Sequence, residues 1–168
     1  MNNTEFSAKR AVTDEQIQQI AELAVVIWNE HFTPIIGKKQ VDYMVEKFQS
    51  YPALKGQISE GYEYYQLYDG DEFCGYIGIH PDSDGRLFLS KLYIKKECRG
   101  RHLATKAFHF LKDLCEKRGY PAIWLTCNKY NEDSLAVYRH LGFETIDTQE
   151  ADIGGGFIMD DYIMEYRM

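Results

Sequence analysis

Leu92-Tyr93-Ile94-Lys95-Lys96-Glu97-Cys98-Arg99-Gly100-Arg101-His102-Leu103-Ala104-Thr105 reads as the end of an apolar strand, a basic turn and the start of a helix. The strand begins at Arg86 and ends at Ile94, and the helix begins near Gly100 and runs to about Arg118. That order of parts builds an anion site. The first backbone N–H groups of a helix lack internal partners and point at whatever precedes them. The helix dipole adds partial positive charge there, and a phosphate or pyrophosphate suits the place. Arg99 and Arg101 add fixed charge, and Gly100 lets the backbone approach closely. The same parts also occur in domains that bind nothing, so the reading needs support from the rest of the chain.

Charge gives some of that support. Residues 95–118 carry eight Lys/Arg against three Asp/Glu, so a chain of net charge −7 holds +5 here and −12 elsewhere. One compact basic segment in an acidic protein argues for a small phosphate-bearing ligand and against a nucleic-acid surface. Lys112, Lys117 and Arg118 also read as an ordinary solvated helix face.

The length of 168 residues fits one domain over 1–168, and a chain this long needs no disulfide or metal to hold its core. Cys74, Cys98, Cys115 and Cys127 are scattered and form no C-x-x-C pair, so they read as reduced thiols and no metal site is expected. No apolar run reaches the ~20 residues of a membrane span. The opening Met1-Asn2-Asn3-Thr4-Glu5 lacks a signal-peptide pattern, and a cytoplasmic protein without membrane contact is expected.

In chain order, Phe6 to Val12 reads as a strand and Thr13-Asp14-Glu15-Gln16 as a capping box. The helix it opens carries Ile17, Ile20, Ala24, Ile27 and His31, and Phe32-Thr33-Pro34 ends it. Val41, Met44, Val45 and Phe48 give a second helix, whereas Lys55 to Gly61 is ambiguous. Strands 63–68 and 72–80 flank the hairpin signal Asp69-Gly70-Asp71. After the helix ending near Arg118 come a strand 122–127, a helix 131–141 stopped by Gly142, and strands 143–151 and 157–167 around Gly154-Gly155-Gly156. The expectation is an α/β fold: a mixed sheet with helices on both faces.

A second stretch, Asn131-Glu132-Asp133-Ser134-Leu135-Ala136-Val137-Tyr138-Arg139-His140-Leu141-Gly142-Phe143-Glu144, follows the strand ending at Cys127. With both stretches in view, the chain resembles the GNAT superfamily of acetyl-CoA-dependent N-acetyltransferases. That family's acyl-CoA loop reads Gln/Arg-x-x-Gly-x-Gly/Ala. Here Arg99 and Ala104 match its first and last positions, and His102 replaces the middle glycine. Asn131, Ser134, Tyr138 and Leu141-Gly142-Phe143 match the later signature, in the right order. The layout is similar to a bacterial polyamine-type subgroup.

The resemblance implies a largely antiparallel twisted sheet of about seven strands in a single GNAT-like domain. The fourth and fifth strands would splay apart to admit the cofactor, acetyl-CoA. It implies that backbone groups of Leu92, Tyr93 and Ile94 pair with the pantetheine arm. The amides of Arg99, Gly100, Arg101, His102, Leu103, Ala104 and Thr105 would hold the pyrophosphate. A glycine at position 102 would permit positive φ freely, whereas histidine bears a cost if the turn requires it. Asn131 reads as a helix cap that also contacts the cofactor.

Tyr138 matches the family's general acid, which protonates the departing thiolate; periodicity alone reads it as a buried aromatic. Many relatives place a glutamate base near the position of Ser90 or Lys91, and this chain has none there. Glu30, His31, Asp160 and Asp161 are the remaining candidates, acting directly or through water. By analogy, Trp28, His31, Phe32 and Tyr43 supply aromatic surface for the acceptor, with Glu30 and Asp160 beside them. Glu144 to Glu165 holds seven Asp/Glu and no Lys/Arg, which suits a cationic amine and equally keeps edge strands soluble.

The function expected is direct acetyl transfer in a ternary complex to a primary amine, a polyamine or other small cationic amine as first choice. A protein or peptide amine is the second reading, and a non-catalytic CoA-binding sensor the third. Relatives imply a homodimer as one option, through the final hairpin.

Overall fold

The computed structural model describes residues 5–168, and the signal-peptide reading at Met1–Thr4 lies outside them. Thr13 caps the first long helix, α1 (Asp14–His31). Its hydroxyl accepts from the Gln16 N–H at 3.2 Å while the Gln16 side chain accepts from the Thr13 N–H at 3.0 Å. Ile17, Ile20, Ala24 and Ile27 recur at helical spacing and are all buried against the sheet. Pro34 falls in the first turn of a short α2 (Thr33–Ile36), where its missing N–H does no harm.

The second helix expected around Val41 to Phe48 divides into α3 (Lys38–Met44) and a π-helical turn, Val45–Gln49. The ambiguous stretch is helical: α4 (Tyr51–Ser59) starts at the Ser50 cap, which accepts from the Ala53 N–H at 3.3 Å. The sheet is built from β1 (Phe6–Arg10), β2 (Glu63–Asp69), β3 (Glu72–Pro81), β4 (Leu87–Ile94), β5 (Ala122–Asn128), β6 (Glu144–Gly154) and β7 (Phe157–Arg167). Its order is β1-β2-β3-β4-β5-β7-β6. Every neighbouring pair is antiparallel except β4 and β5. α5 (Leu103–Arg118) and α6 (Glu132–Leu141) connect β4 to β5 and β5 to β7's hairpin. One core packs α5 and α6 on one face; a second packs α1, α3 and α4 on the other.

Two departures from regular pairing shape the site. First, β4 and β5 pair only at Leu87 with Ile123 and Phe88 with Trp124, so beyond Phe88 the strands part, as the resemblance implied. Second, β4 carries a bulge: Gly78 pairs with Lys91 and Ile79 with Leu89, leaving Ser90 extra. Side chains alternate along a strand, so one extra residue reverses the facing of all that follow. Leu87 and Leu89 therefore join the α5-side core, whereas Tyr93 packs in the α1-side core. Gly78 makes room for this: a Cβ there would lie 2.7 Å from the Tyr64 ring.

The glycine turn between β6 and β7 folds over α3. The Tyr43 hydroxyl donates to the Ile153 carbonyl at 2.7 Å, and a Cβ on Gly155 would meet the Tyr43 ring at 2.9 Å. Tyr43 thus anchors the final hairpin; it does not line the cavities described below.

Candidate active site

The parting of β4 and β5 opens two cavities that meet at Leu92, Tyr93, Ser134 and Tyr138. The cavity on the α5 side has a volume of about 570 Å³ and runs along the turn after β4 and the first turn of α5. α5 begins without a side-chain cap. The Arg99 N–H is already used, donating to the Lys96 carbonyl at 3.2 Å. From Gly100 to Thr105 no backbone N–H finds a backbone partner among the described residues. These free amides face a cavity at a helix N-terminus, which is the geometry that holds a pyrophosphate. Gly100 has φ +82° and a hypothetical Cβ there would meet nothing within 4 Å, so the loop is open where an anion would approach.

The two arginines differ. Arg99 is exposed at the cavity rim, with its Nε donating to the Ile94 carbonyl at 3.3 Å. Arg101 turns away: its guanidinium pairs with Asp69 at 3.0 Å and Glu72 at 2.7 Å. Those acids belong to the β2–β3 hairpin, so the Arg101 side chain ties the turn to the sheet and does not line the cavity. Glu72, Cys74 and Cys98 place ligand-type atoms within 4.8 Å of one another. Arg101 already occupies that carboxylate, and burial pushes the Cys98 thiol up to about 12, which leaves little anionic character for a cation.

His102 has φ +60° in the left-handed region, so the replaced glycine was a position that needed it. A β-branched residue tolerates that conformation far less well than histidine. His102→Val is expected to lower stability by about 1–3 kcal/mol and to weaken coenzyme A binding, while His102→Gly keeps both near the starting values. Thermal unfolding and calorimetric titration of the two variants check this.

The second cavity, of about 460 Å³, lies on the α1–α4 side. Trp28 and Phe32 stack at 4.2 Å between ring centroids, and both pack edge-on to Tyr93, at 5.6 and 6.0 Å. They line the cavity together with Phe48, Phe88 and Met159. Of the seven carboxylates in residues 144–165, Asp161 alone lines this cavity. Glu144, Asp147, Glu150 and Asp152 are exposed. Asp160 pairs with Lys129 at 2.7 Å, and Glu165 with Arg86 at 2.9 Å. Strand alternation explains the outcome, because Met159 and Asp161 share the inward face of β7.

Asp161 is 5% exposed, and its Oδ1 has no hydrogen-bond partner among the described residues. Burial, reinforced by the neighbouring Asp160, pushes its carboxyl up to about 6. Tyr138 is half-buried at the junction, and burial also raises its phenol, so it stays protonated at neutral pH. Cys127 is pushed up to about 12, first by burial and then by Asp161, so it is a poor nucleophile.

Other sequence-chosen residues settle differently. His31 Nε2 lies 3.0 Å from Asn131 Oδ1, which also accepts from the Ser134 N–H at 3.4 Å; the ring nitrogen therefore donates. This bond joins the end of α1 to the cap of α6, and His31 lines the α5-side cavity. Trp28 lines the other, while Glu30 is exposed and lines neither, and Asp160 is held by Lys129.

Lys91 belongs to no local motif that marks it for a role. It is 6% exposed, turned inward by the Ser90 bulge, and lines the α1-side cavity. Its Nζ donates to the Phe48 carbonyl at 2.6 Å, to Gln57 Oε1 at 2.9 Å and to the Tyr64 hydroxyl. Burial pulls it down to about 7, while three acceptors around one ammonium favour the protonated form.

The fold and parts of the sequence match known proteins. The model of the acetyltransferase (GNAT) family matches residues 21–143. The Uncharacterized N-acetyltransferase YjgM of Escherichia coli is 26% identical over 131 residues, covering 71% of this chain and 78% of that protein. The Probable N-acetyltransferase camello of Xenopus laevis is 28% identical over 72 residues, 42% of this chain; the match spans 33% of that protein's length. The crystal structure of PaiA N-acetyltransferase from Thermoplasma acidophilum in complex with coenzyme A superposes with a TM-score of 0.82 at 16% identity. It covers 98% of this chain and 99% of the other. Among the described residues no helix is long and apolar enough to cross a membrane.

Proposed function

Because the chain belongs to the GNAT family of acetyltransferases, we propose that it moves an acetyl group from acetyl-CoA to a primary amine at the junction of its two cavities. The observation that carries this is the meeting of an anion-type helix start, a protonated tyrosine and an unpaired buried carboxylate at one opening in the sheet. The residues present fit acetyl-CoA. Free amides from Gly100 to Thr105 receive the pyrophosphate, Arg99 adds charge, and the unpaired edge of β4 over Leu92–Ile94 accepts the pantetheine arm as an added strand.

Asp161 takes the proton that the ammonium must lose before its nitrogen attacks, directly or through water. As the nitrogen–carbon bond forms and the carbon–sulfur bond breaks, Tyr138 gives its proton to the departing sulfur. Burial raises the phenol, so it still carries its proton at neutral pH when the sulfur departs. The high Cys98 and Cys127 thiols support direct transfer over an acyl-cysteine route. Asn131 and His31 hold α6 and α1 in place beside Tyr138.

The acceptor on this reading is a primary amine that enters as its ammonium; the sequence favours a polyamine, and a protein amine uses the same chemistry. The test is product mass after incubation with acetyl-CoA and spermidine, spermine, benzylamine or a lysine peptide. A mass gain of one acetyl group on any amine supports the reading. No acetylated amine despite acetyl-CoA binding overturns it in favour of a CoA sensor.

A further inference from the structure

The acceptor-side cavity holds a buried acid, Asp161, a buried cation, Lys91, and a second acid, Glu60, that is exposed to solvent. Asp161 projects from β7 and Lys91 from β4, both toward the α1–α4 face, with β5 between them in the sheet. Two strand steps separate their backbones by about 10 Å, and the parting of β4 from β5 widens that. Phe32, Phe48, Phe88 and Met159 give the same cavity aromatic and apolar lining, beside polar groups such as Gln57 and Asn128. Among the described residues Lys91 has no carboxylate partner; its Nζ donates to the neutral oxygens of Phe48, Gln57 and Tyr64.

Resting on the acetyltransferase reading above, we infer that the acceptor is an amine whose apolar body carries a carboxylate at the end remote from the nitrogen. A buried ammonium without a counter-ion is expensive, and an anionic group in the same cavity offsets that cost. The same ammonium repels a second cationic centre. Asp161 is the one buried carboxylate of the cavity and matches one ammonium, whereas Glu60, the other carboxylate in its lining, is exposed to solvent. The remaining acids of the final hairpin face solvent or are paired with arginine or lysine. A polyamine would place its further charges against aromatic rings, against Lys91 or out at the solvated Glu60, where an ion pair is worth little. An α-amino acid holds its two charges too close together to span the distance, so the two groups belong at opposite ends of the body. Sequence position alone conceals this arrangement, because Lys91 reaches the cavity only through the Ser90 bulge.

The test is calorimetric binding of 4-(aminomethyl)benzoate, its methyl ester and the diamine 4-(aminomethyl)benzylamine, to the protein with and without coenzyme A. The amino-carboxylate is expected to bind at least about tenfold more tightly than the diamine, with the ester between them. Lys91→Met, with folding checked by circular dichroism, is expected to bring the benzoate and its ester within about threefold of each other. Equal or tighter binding of the diamine by the unaltered protein overturns the inference, as does absence of benzoate binding. So does a preference that survives Lys91→Met. Product mass with the amine that binds is read separately: predicted binding order without acetylation leaves the site's selectivity intact and refutes the transfer reading instead.

Discussion

Asp161→Asn is expected to lower kcat/KM for the acceptor by about 10²–10³ while leaving coenzyme A binding unchanged. The carboxylate lines the acceptor cavity and its Oδ1 has no hydrogen-bond partner among the described residues, so neutralising it leaves that oxygen's surroundings without a lost partner. Its raised pKa also fixes the pH dependence. Only the ionised form can accept a proton, so activity of the unaltered protein rises with pH through about 6 and then levels, and that limb disappears in the variant.

The same shift predicts a stability gain. The carboxyl lies above its ordinary 3.8 because the folded protein disfavours the charged form. The folded state therefore binds this proton more tightly than the unfolded chain does. Full stability from this group is present below about 4 and declines as pH rises to about 6, staying low above that. At about 1.4 kcal/mol per pKa unit the cost at neutral pH reaches up to about 3 kcal/mol. Asn carries no such cost, so Asp161→Asn should unfold at a higher temperature than the parent at pH 7. The two should converge near pH 4. An unchanged rate, or a variant less stable at pH 7, contradicts the assignment.

Tyr138→Phe is expected to lower kcat by about 10²-fold or more, with the KM for acetyl-CoA altered far less. The ring packs edge-on to Phe143 at 5.7 Å between centroids, and phenylalanine keeps that packing. No protein group receives the hydroxyl's hydrogen bond among the described residues, so removing it leaves no buried partner unsatisfied. A stability change above about 1 kcal/mol is not expected. If the aromatic reading of Tyr138 were the whole account, the variant would retain its rate. Steady-state kinetics with equilibrium binding of coenzyme A separate the two outcomes.

Much of the frame was legible in the residues. The Thr13 capping box, the Gly142 stop and the strand–turn–helix at Ile94 to Thr105 follow local rules, and local rules survive folding. The positive φ at His102 could be anticipated because a motif glycine was missing there. The acceptor side was less legible, because it depends on facing and on pairing across strands. Asp160 and Asp161 are adjacent in sequence and opposite in facing; one meets Lys129 and the other the cavity. Arg101 looked like a phosphate ligand until the β2–β3 hairpin brought Asp69 and Glu72 to it. Lys91 was invisible as a cavity residue because a single extra residue, Ser90, reverses the strand. A run of acids in the last hairpin suggested an acidic pocket, yet alternation turned most of them to water.

A crystal structure of the protein with acetyl-CoA tests the central claim most directly. The account predicts pyrophosphate on the amides between Gly100 and Thr105, and the thioester sulfur within hydrogen-bond reach of the Tyr138 hydroxyl where the two cavities meet. Cofactor bound outside the parting of β4 and β5, or with its sulfur remote from Tyr138, would contradict it.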